Sequence, residues 1–306
     1  MDWTRHYYTA YGLSIESDIP LNYLKEIEPT QVDLTVRRER VPAPPVWQDT
    51  QLHRAGLQAE FAQNGPDQLW LNWPSLAQFM AVDGKEIRVE TATMDEGLLS
   101  LFITSEALGL ILFQKGYFLL HGSAIQINNK GIVFVGEPGA GKSTTVAAFA
   151  NRSVRIMSDD LVCIRVNEAG KPSLVPAFSQ IKIWEKSVEG LQIPKGELDM
   201  VREGANKFSW HESVSFEENS LPLERIFVLT AAGNEPGTIR EVTLSQRPIE
   251  LLRYFPLPDP ILRGAALKDH FEKSVVIANT TPVYRLNRPA DFAKLYEFVD
   301  YLKTTL

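Results

Sequence analysis

The segment GEPGAGKS, from Gly136 to Ser143, constrains the fold of this 306-residue chain more than any other. It satisfies the spacing G-x-x-x-x-G-K-[ST] of a phosphate-binding loop, or P-loop, which joins a strand to a helix. The apolar run IVFV comes directly before it and TTVAAFA directly after it, so both flanking elements are predicted. We therefore expect an α/β fold in which this strand, loop and helix bind a nucleotide.

The residue types in the loop predict how it would bind. Its glycines permit a tight turn whose backbone N–H groups point inward, and the helix that follows directs its positive end at the same place. Lys142 would reach the β- and γ-phosphates as a catalytic charge, and the hydroxyl of Ser143 would coordinate Mg²⁺ on those oxygens. The predicted cofactors are thus ATP and Mg²⁺. The predicted nucleotide-binding residues are Gly136, Glu137, Pro138, Gly139, Ala140, Gly141, Lys142, Ser143 and Thr144.

Two adjacent carboxylates, Asp159 and Asp160, follow the loop at the end of the run VRIMSDD. Neighbouring side chains on an extended segment diverge, so one carboxylate can accept the proton of an attacking hydroxyl while the other binds Mg²⁺. We assign Asp159 the role of catalytic base and Asp160 that of metal ligand. A nucleotide hydrolase would also need a carboxylate for its metal, and a solvated acidic turn is the structural alternative.

The stretch LLHGSAIQINNKGIVFVGEPGAGKSTTVAAFA, followed by IMSDDLV, resembles the catalytic domain of the HPr kinase/phosphorylase family. The resemblance is strong from Gly116 to Ile164 and loose elsewhere. It implies an HPr kinase/PEP carboxykinase-like fold, phosphorylation of a serine on a carrier protein, and a catalytic role for His121 beside Asp159. Taken alone, a histidine at a strand end is often a hydrogen-bonded core residue. The glycine-rich signature that bifunctional members use for dephosphorylation has no convincing copy here.

Residues 1–93 are predicted to form a β-rich N-terminal module, and residues 94–306 the P-loop kinase domain. Short alternating runs such as VDLTVRRERV, LQAEFA and EIRVET indicate strands in the first of these. Trp47, Trp70 and Trp73 lie among these runs. Aromatic side chains in strands usually pack in a core, and a ligand groove is the alternative.

The period of the apolar residues changes after the strands. Asp83-Gly84 indicates a hairpin turn between two strands, whereas the apolar residues between Leu98 and Phe113 recur at helical spacing. This run is shorter than a membrane span requires and contains polar residues, so we predict a buried helix. Gly116 suits its C-terminal end.

Beyond the carboxylates, the runs LVCIRV, SLVPAF, QIKIW and RIFVLT predict strands, and PADFAKLYEFVDYLK predicts a terminal packing helix. The composition between Leu191 and Leu221 is polar and irregular, which predicts a mobile loop able to close over a substrate. Lys182 and Lys207 are candidates for contacting phosphate or substrate, because a kinase must neutralise charge on the transferred group. The alternative for both lysines is a solvated surface position.

Charge and cysteine content narrow the partners and the compartment. Acidic residues outnumber Lys and Arg by 38 to 31, which argues against a nucleic-acid partner. The single cysteine, Cys163, lies in an apolar run and is predicted to be a buried structural thiol. The start MDWTRHYYTAYG lacks the features of a signal peptide, so we expect a cytoplasmic protein without a membrane partner. The oligomeric state stays open, with a homo-oligomer compatible with the sequence.

The leading hypothesis is a Mg-ATP-dependent serine kinase whose acceptor is a peptide or small protein. The order of segments along the chain, with YGLSIESDIPL near its start, looks like that of short members of the family. Some of these members phosphorylate precursors of lasso peptides, a class of ribosomally made and modified peptides (RiPPs). The alternatives are an HPr-type carrier-protein serine kinase, a small-molecule kinase and a non-catalytic nucleotide-binding scaffold protein. A carboxykinase is disfavoured by the short chain and the lack of a visible histidine cluster.

Overall fold

The computed structural model describes residues 4–54, 56–201, 206–211, 213–230 and 237–305. The fold is mixed α/β and divides into two compact units. The first comprises the residues up to Leu119 together with Pro256–His270, and the second contains Leu120–Val201 and most of the later residues. The sequence pattern put a boundary near Thr93. The structure divides after the helix at Glu96–Gln114 instead, because that helix packs against a strand of the first unit.

The first unit is built on a nine-stranded sheet with the strand order β3-β1-β2-β4-β9-β8-β7-β6-β5. β4 is parallel to both of its neighbours, and the other strand pairs of this sheet are antiparallel within the described residues. The strands predicted along this part of the chain are therefore present. They are β1 (His6–Ala10), β2 (Leu13–Ser17), β3 (Lys25–Glu26), β4 (Leu34–Arg38), β5 (Gln48–Arg54), β6 (Leu57–Asn64), β7 (Gln68–Trp73), β8 (Ala77–Val82) and β9 (Glu86–Thr91).

The predicted hairpin turn lies between β8 and β9. Asp83 and Gly84 have φ angles of 53° and 64°, left-handed values like those of the central residues of a primed turn, and the Lys85 N–H closes the turn on the carbonyl oxygen of Val82 at 2.9 Å. β8 and β9 pair in register from Val82 opposite Glu86 outward. The turn prediction is confirmed.

The apolar run after β9 forms one helix that consists of α1 (Glu96–Phe102), a π-helical turn (Ile103–Ala107) and α2 (Leu108–Gln114). By length and hydropathy it could cross a membrane, but 72% of its apolar window is buried inside the protein, which is the arrangement of a core helix. Gly116, with a φ of 77°, follows its end as predicted.

The tryptophans of the first unit divide between core and surface. Trp70 and Trp73 are 2% and 0% exposed, and Trp73 packs edge-on against Phe102 of α1 with 4.6 Å between ring centroids. Trp47 instead lines a groove of about 680 Å³ together with Pro42 and other residues. The core interpretation thus fits Trp70 and Trp73. Trp47 is partly buried against a cluster that contains Val41 and Trp70, and a ligand in the groove stays a prediction.

The strands and helices that follow belong to the second unit, except that residues 118–119 and 264–270 lie in the first. The strands are β10 (Phe118–Ile127), β11 (Lys130–Gly136), β12 (Ile156–Ser158), β13 (Leu161–Val166), β14 (Pro172–Val175), β15 (Ile181–Trp184), β16 (Leu198–Met200), β17 (Lys207–Trp210), β18 (Leu221–Thr230), β19 (Ile239–Glu241) and β20 (Val283–Asn287). The helices are α3 (Lys142–Ala150), α4 (Glu185–Leu191), α5 (Arg247–Leu252), α6 (Gly264–Thr280) and α7 (Phe292–Thr305).

Three parallel strands set the position of the site. β18 is parallel to β11 on one side and to β20 on the other, and β10 is antiparallel to β11. The carboxyl ends of β11, β18 and β20 therefore meet at one edge of the sheet, which is where open α/β sheets bind ligands. β12 pairs with β10 and delivers the two adjacent aspartates.

An aromatic core fixes α3 against this sheet. Phe134 of β11 packs against Phe149 of α3 at 5.7 Å and stacks on Phe227 of β18 at 5.6 Å between ring centroids. All three side chains are at most 1% exposed. The predicted terminal helix, α7, adds Leu295 and Val299 to the same core. The helix after the glycine loop is thereby held rigidly.

The structure corrects the prediction of an irregular loop between Leu191 and Leu221. This region contains β16 and β17, and β17 pairs with both β15 and β16 in a three-stranded sheet of order β15-β17-β16. Residues 202–205 and 212 lie outside the described residues. The strands escaped notice because they are short and because only one face of the sheet packs against the apolar core.

Candidate active site

The Gly136–Ser143 loop joins β11 to α3, as predicted. A Cβ atom at Gly136 would lie 2.8 Å from the carbonyl oxygen of Leu229, so only glycine allows β11 to end this close to β18. Gly141 has a φ of 92°, a left-handed conformation that favours glycine, and caps the start of α3. These features give the loop the strand-to-helix geometry in which backbone N–H groups can face an anion.

Lys142 lies inside this loop. Its Nζ donates hydrogen bonds to the carbonyl oxygens of Gly136 at 2.8 Å and Glu137 at 3.3 Å, and the residue is 8% exposed. Burial lowers the pKa of Lys142, while the carboxylates of Asp160 and Asp159 raise it. The ammonium is therefore enclosed at the position where the predicted phosphates would bind.

The Asp159 carboxylate lies at the end of the loop and accepts three hydrogen bonds. Its Oδ1 accepts from the hydroxyls of Ser143 at 2.9 Å and Ser123 at 2.6 Å, and its Oδ2 accepts from the backbone N–H of Lys182 at 2.8 Å. Burial raises the pKa of Asp159 to about 6, with a further contribution from the charge of Asp160, although the three hydrogen bonds oppose the shift. Asp159 is thus bound directly to the loop serine.

Asp160 points its carboxylate at a different partner. Its Oδ2 forms an ion pair of 2.9 Å with Nζ of Lys182, which is 5% exposed. Its backbone has a φ of 68°, an uncommon left-handed value for a residue with a side chain. The two adjacent carboxylates thus have different partners: Asp159 accepts from the loop serine and from the backbone of β15, and Asp160 pairs with the Lys182 side chain.

His121 contacts the backbone of this aspartate pair. Its Nδ1 lies 3.1 Å from the carbonyl oxygen of Asp160, and the N–H of Gly122 donates to the same oxygen at 3.2 Å. Because a carbonyl only accepts, a neutral His121 carries its proton on Nδ1 and presents Nε2 as an acceptor. The structure thus places His121 beside Asp160, and its predicted catalytic role stays a prediction.

Other predicted residues lie further from the carboxylates. The hydroxyl of Thr144 is hydrogen-bonded to that of Ser187 at 2.8 Å, and the Glu137 side chain is 67% exposed. Lys207 has its Nζ 5.6 Å from the ring centroid of Trp184, opposite which it lies on β17. Of the two candidate lysines, only Lys182 is shown in contact with the aspartate pair.

Ser123 is a site residue that the sequence analysis missed. It lies two residues after His121 on β10 and donates to Asp159. The available signal was the period of a strand, since residues i and i+2 point to the same face. The assignment of His121 to the site therefore also predicts Ser123 on the same face of the strand.

The donor set fits Mg²⁺ bound together with nucleotide phosphates. Ser143 and Asp159 offer a hydroxyl and a carboxylate oxygen 2.9 Å apart at the end of the loop. Mg²⁺ prefers oxygen ligands and is usually held by one or two carboxylates plus phosphates. Asp160 is directed at Lys182 instead, so the residues that fit the metal best are Ser143 and Asp159.

Comparison with known proteins adds one structural similarity. No protein-family model matches the chain, and no curated protein matches it. Among solved structures, the chain is similar to the HPr(Ser) kinase/phosphatase from Coxiella burnetii, with 11% sequence identity and a TM-score of 0.32. The match covers 61% of this chain and 97% of that one. A TM-score at this level supports no inference, so the contacts within this chain carry the functional conclusions.

Proposed function

We propose that the protein is a Mg-ATP-dependent kinase that phosphorylates a serine hydroxyl on a peptide or small protein. The supporting observation is the divergence of the two adjacent carboxylates, Asp159 onto the loop serine and Asp160 onto Lys182. A site that only binds nucleotide needs the first contact. A site that also activates a hydroxyl needs a second carboxylate nearby, and Asp160 is suited to that role.

In this proposal the roles predicted for the two aspartates are exchanged. Asp159 would hold Mg²⁺ with Ser143, because it already shares a hydrogen bond with that hydroxyl. Asp160 would act as the base, because its carboxylate forms an ion pair with Lys182, while Asp159 is the carboxylate that accepts from the loop serine. Lys182 would orient Asp160 and add positive charge beside the transferred group.

The proposed reaction is an in-line transfer in which the chain mainly positions the reactants. The serine oxygen attacks the γ-phosphorus of ATP and its proton passes to the Asp160 carboxylate, while the bond to the bridging oxygen breaks and ADP leaves. Lys142 and the loop N–H groups would neutralise the phosphates. Mg²⁺, when bound with the nucleotide, supplies positive charge on the β- and γ-phosphate oxygens.

The acceptor class comes from the resemblance of residues 116–164 to the serine kinases described above. A serine in a peptide precursor of the lasso type is the narrower proposal, and an HPr-type carrier protein is its rival. A cytoplasmic location would suit either acceptor. Both acceptors present a hydroxyl that Asp160 could deprotonate, so the test must offer both.

The direct test is incorporation of phosphate measured by mass spectrometry. The protein is incubated with ATP and Mg²⁺ together with serine-ended peptides or an HPr-type carrier, beside a Lys142→Met variant. We expect an acceptor to gain one phosphate with the wild type and transfer to fall at least about 100-fold in the variant, because the enclosed ammonium is lost. Hydrolysis of ATP with no labelled acceptor would overturn the kinase proposal in favour of a nucleotide-responsive scaffold.

The affinity for Mg-nucleotide should depend on pH through Asp159. Its pKa is raised from 3.8 to about 6, so the folded protein holds a proton on this carboxyl below pH 6. A protonated carboxyl does not bind Mg²⁺, and affinity should therefore rise between about pH 5 and 7 and level off above.

The folding stability of the protein without nucleotide should depend on pH with the opposite sign. A carboxyl whose pKa rises on folding contributes less stability as pH increases from about 4 to 6.

Calorimetric titrations with Mg-ADP across this pH range measure the effect. The Asp159→Asn variant is the matched control, because it keeps the titration of the nucleotide phosphates and lacks that of the carboxyl. Identical pH profiles for the two proteins would show that Asp159 does not hold the metal.

A further inference from the structure

Arg288 lies at the same edge of the sheet as the glycine loop. It follows Asn287, the last residue of β20. The strand registers place Gly136 opposite Leu229 and Asn287 opposite Thr230, so the ends of β11, β18 and β20 are level. Arg288, the residue after β20, therefore lies next to the loop. No local sequence pattern around Arg288 predicts this position.

The Arg288 side chain lies directly on the backbone of Gly141. A Cβ atom built on Gly141 would be 2.8 Å from Nε of Arg288 and 3.0 Å from both its Cδ and its Cζ. The first separation is shorter than real Cβ contacts and the other two are at the tight limit, so the Arg288 side chain occupies the space that a side chain at position 141 would fill. Gly141 immediately precedes Lys142, and the two cations therefore flank the same turn of the loop.

The backbone before Arg288 is held in place on β20. The N–H of Asn287 donates to the carbonyl oxygen of Thr238 at 3.0 Å, and the N–H of Gly237 donates to the carbonyl oxygen of Asn287 at 2.7 Å. The Thr230 hydroxyl also donates to the carbonyl oxygen of Leu286 at 3.2 Å. The guanidinium is thus carried by a fixed strand end, as a preorganised binding residue should be.

Arg288 also has no carboxylate counterion among the residues that the structure describes. Its Nε is buried and has no hydrogen-bond partner within the part of the chain that the structure describes. Arg285, three residues earlier, shows the usual arrangement with an ion pair of 2.8 Å to Glu250. Burial lowers the pKa of Arg288, and no carboxylate is among the causes of the shift. A half-buried guanidinium with an unsatisfied Nε gains hydrogen bonds and charge neutralisation when an anion binds beside it.

We propose that Arg288 binds the polyphosphate group of the nucleotide as a second cation beside Lys142. This rests on the proposed function, since it assumes that the loop holds a nucleotide. The planar fork of a guanidinium matches the oxygens of a phosphate and binds them with two parallel hydrogen bonds. Arg288 lies on Gly141 and therefore against the phosphate-binding turn. This position favours the phosphates over the nucleobase as the ligand of Arg288.

Arg288→Gln and Arg288→Lys variants test this proposal. Dissociation constants are measured by calorimetry with Mg-ATP, and by displacement of a fluorescent ADP derivative with inorganic tripolyphosphate, which has no base. We expect Arg288→Gln to weaken both by about 10-fold or more, and Arg288→Lys to weaken them less because it keeps the charge without the fork. The control is Arg225→Gln. Arg225 lies over the Tyr284 ring at 5.9 Å on the neighbouring strand, and its replacement should leave both affinities unchanged.

Unchanged affinity for tripolyphosphate in both Arg288 variants would overturn the proposal, and so would a loss seen only with the complete nucleotide, which would place Arg288 at the base. Thermal melting of each variant separates misfolding from loss of binding, and Arg288→Lys provides the result if the glutamine variant does not fold. A wild-type protein that binds neither ligand would refute the proposed function itself, an outcome distinct from failure of the Arg288 variants alone.

Discussion

An Asp160→Asn variant is expected to bind Mg-ATP within about threefold of the wild type and to transfer phosphate about 10²–10⁴-fold more slowly. The amide keeps the size and shape of the carboxylate but cannot take the proton of an attacking hydroxyl. Single-turnover transfer and nucleotide affinity, measured on the same preparation, separate the two effects.

The backbone conformation at residue 160 tolerates the Asp160→Asn substitution without added strain. Asp160 has a φ of 68°, and asparagine is the residue with a side chain that adopts such a left-handed conformation most readily. The carbonyl oxygen of Asp160, which accepts from Gly122 and lies beside His121, is unaffected by the change. The main structural loss is the charge partner of Lys182.

A Lys182→Met variant controls for that loss. If Asp160 acts only by neutralising Lys182, replacing the lysine in the Asp160→Asn background should restore transfer. If Asp160 is the base, the double variant should be at least as slow as the single one, because it also loses the positive charge of Lys182. Full transfer by Asp160→Asn, with a slow Asp159→Asn, would restore the assignment that the sequence alone suggested.

The loop itself was predictable because it is local. Its glycines, Lys142 and Ser143 all lie within eight residues, and the apolar runs on either side predicted the strand and the helix. The hairpin turn at Asp83-Gly84 is local in the same sense. Such features depend on backbone conformations that few residue types adopt, so the sequence states them directly.

The division of roles between Asp159 and Asp160 was not predictable in this way. It depends on which carboxylate faces the loop, and this is set by the left-handed backbone at Asp160 and by β15, which brings Lys182 to both residues. The identity of two adjacent residues does not determine the direction in which each side chain points. Arg288 shows the same limit more strongly, because only the pairing of β18 with β20 brings it to the loop.

An Asp159→Asn variant should weaken Mg²⁺-dependent nucleotide binding by about 10- to 100-fold or more, because loss of a residue that only supports a metal ligand already has an effect of this size. The two oxygens of Asp159 accept hydrogen bonds on both sides, from the hydroxyls of Ser143 and Ser123 and from the N–H of Lys182. An amide offers only one accepting oxygen, so one side must lose its acceptor whichever way the group is turned. Ser143 would then be less well oriented as well.

Nucleotide titrations with Mg²⁺ and with a chelator reveal this effect. The loss should be confined to the Mg²⁺ series, since the contacts of Lys142 and the loop with phosphate do not require the metal. Ser123→Ala is the matched control because it removes a donor to Asp159 and leaves Ser143 and the carboxylate in place. Its affinity should stay close to that of the wild type if Asp159 acts through the metal. A loss of equal size in Ser123→Ala, or in the chelator series, would instead mean that Asp159 only holds the loop in shape.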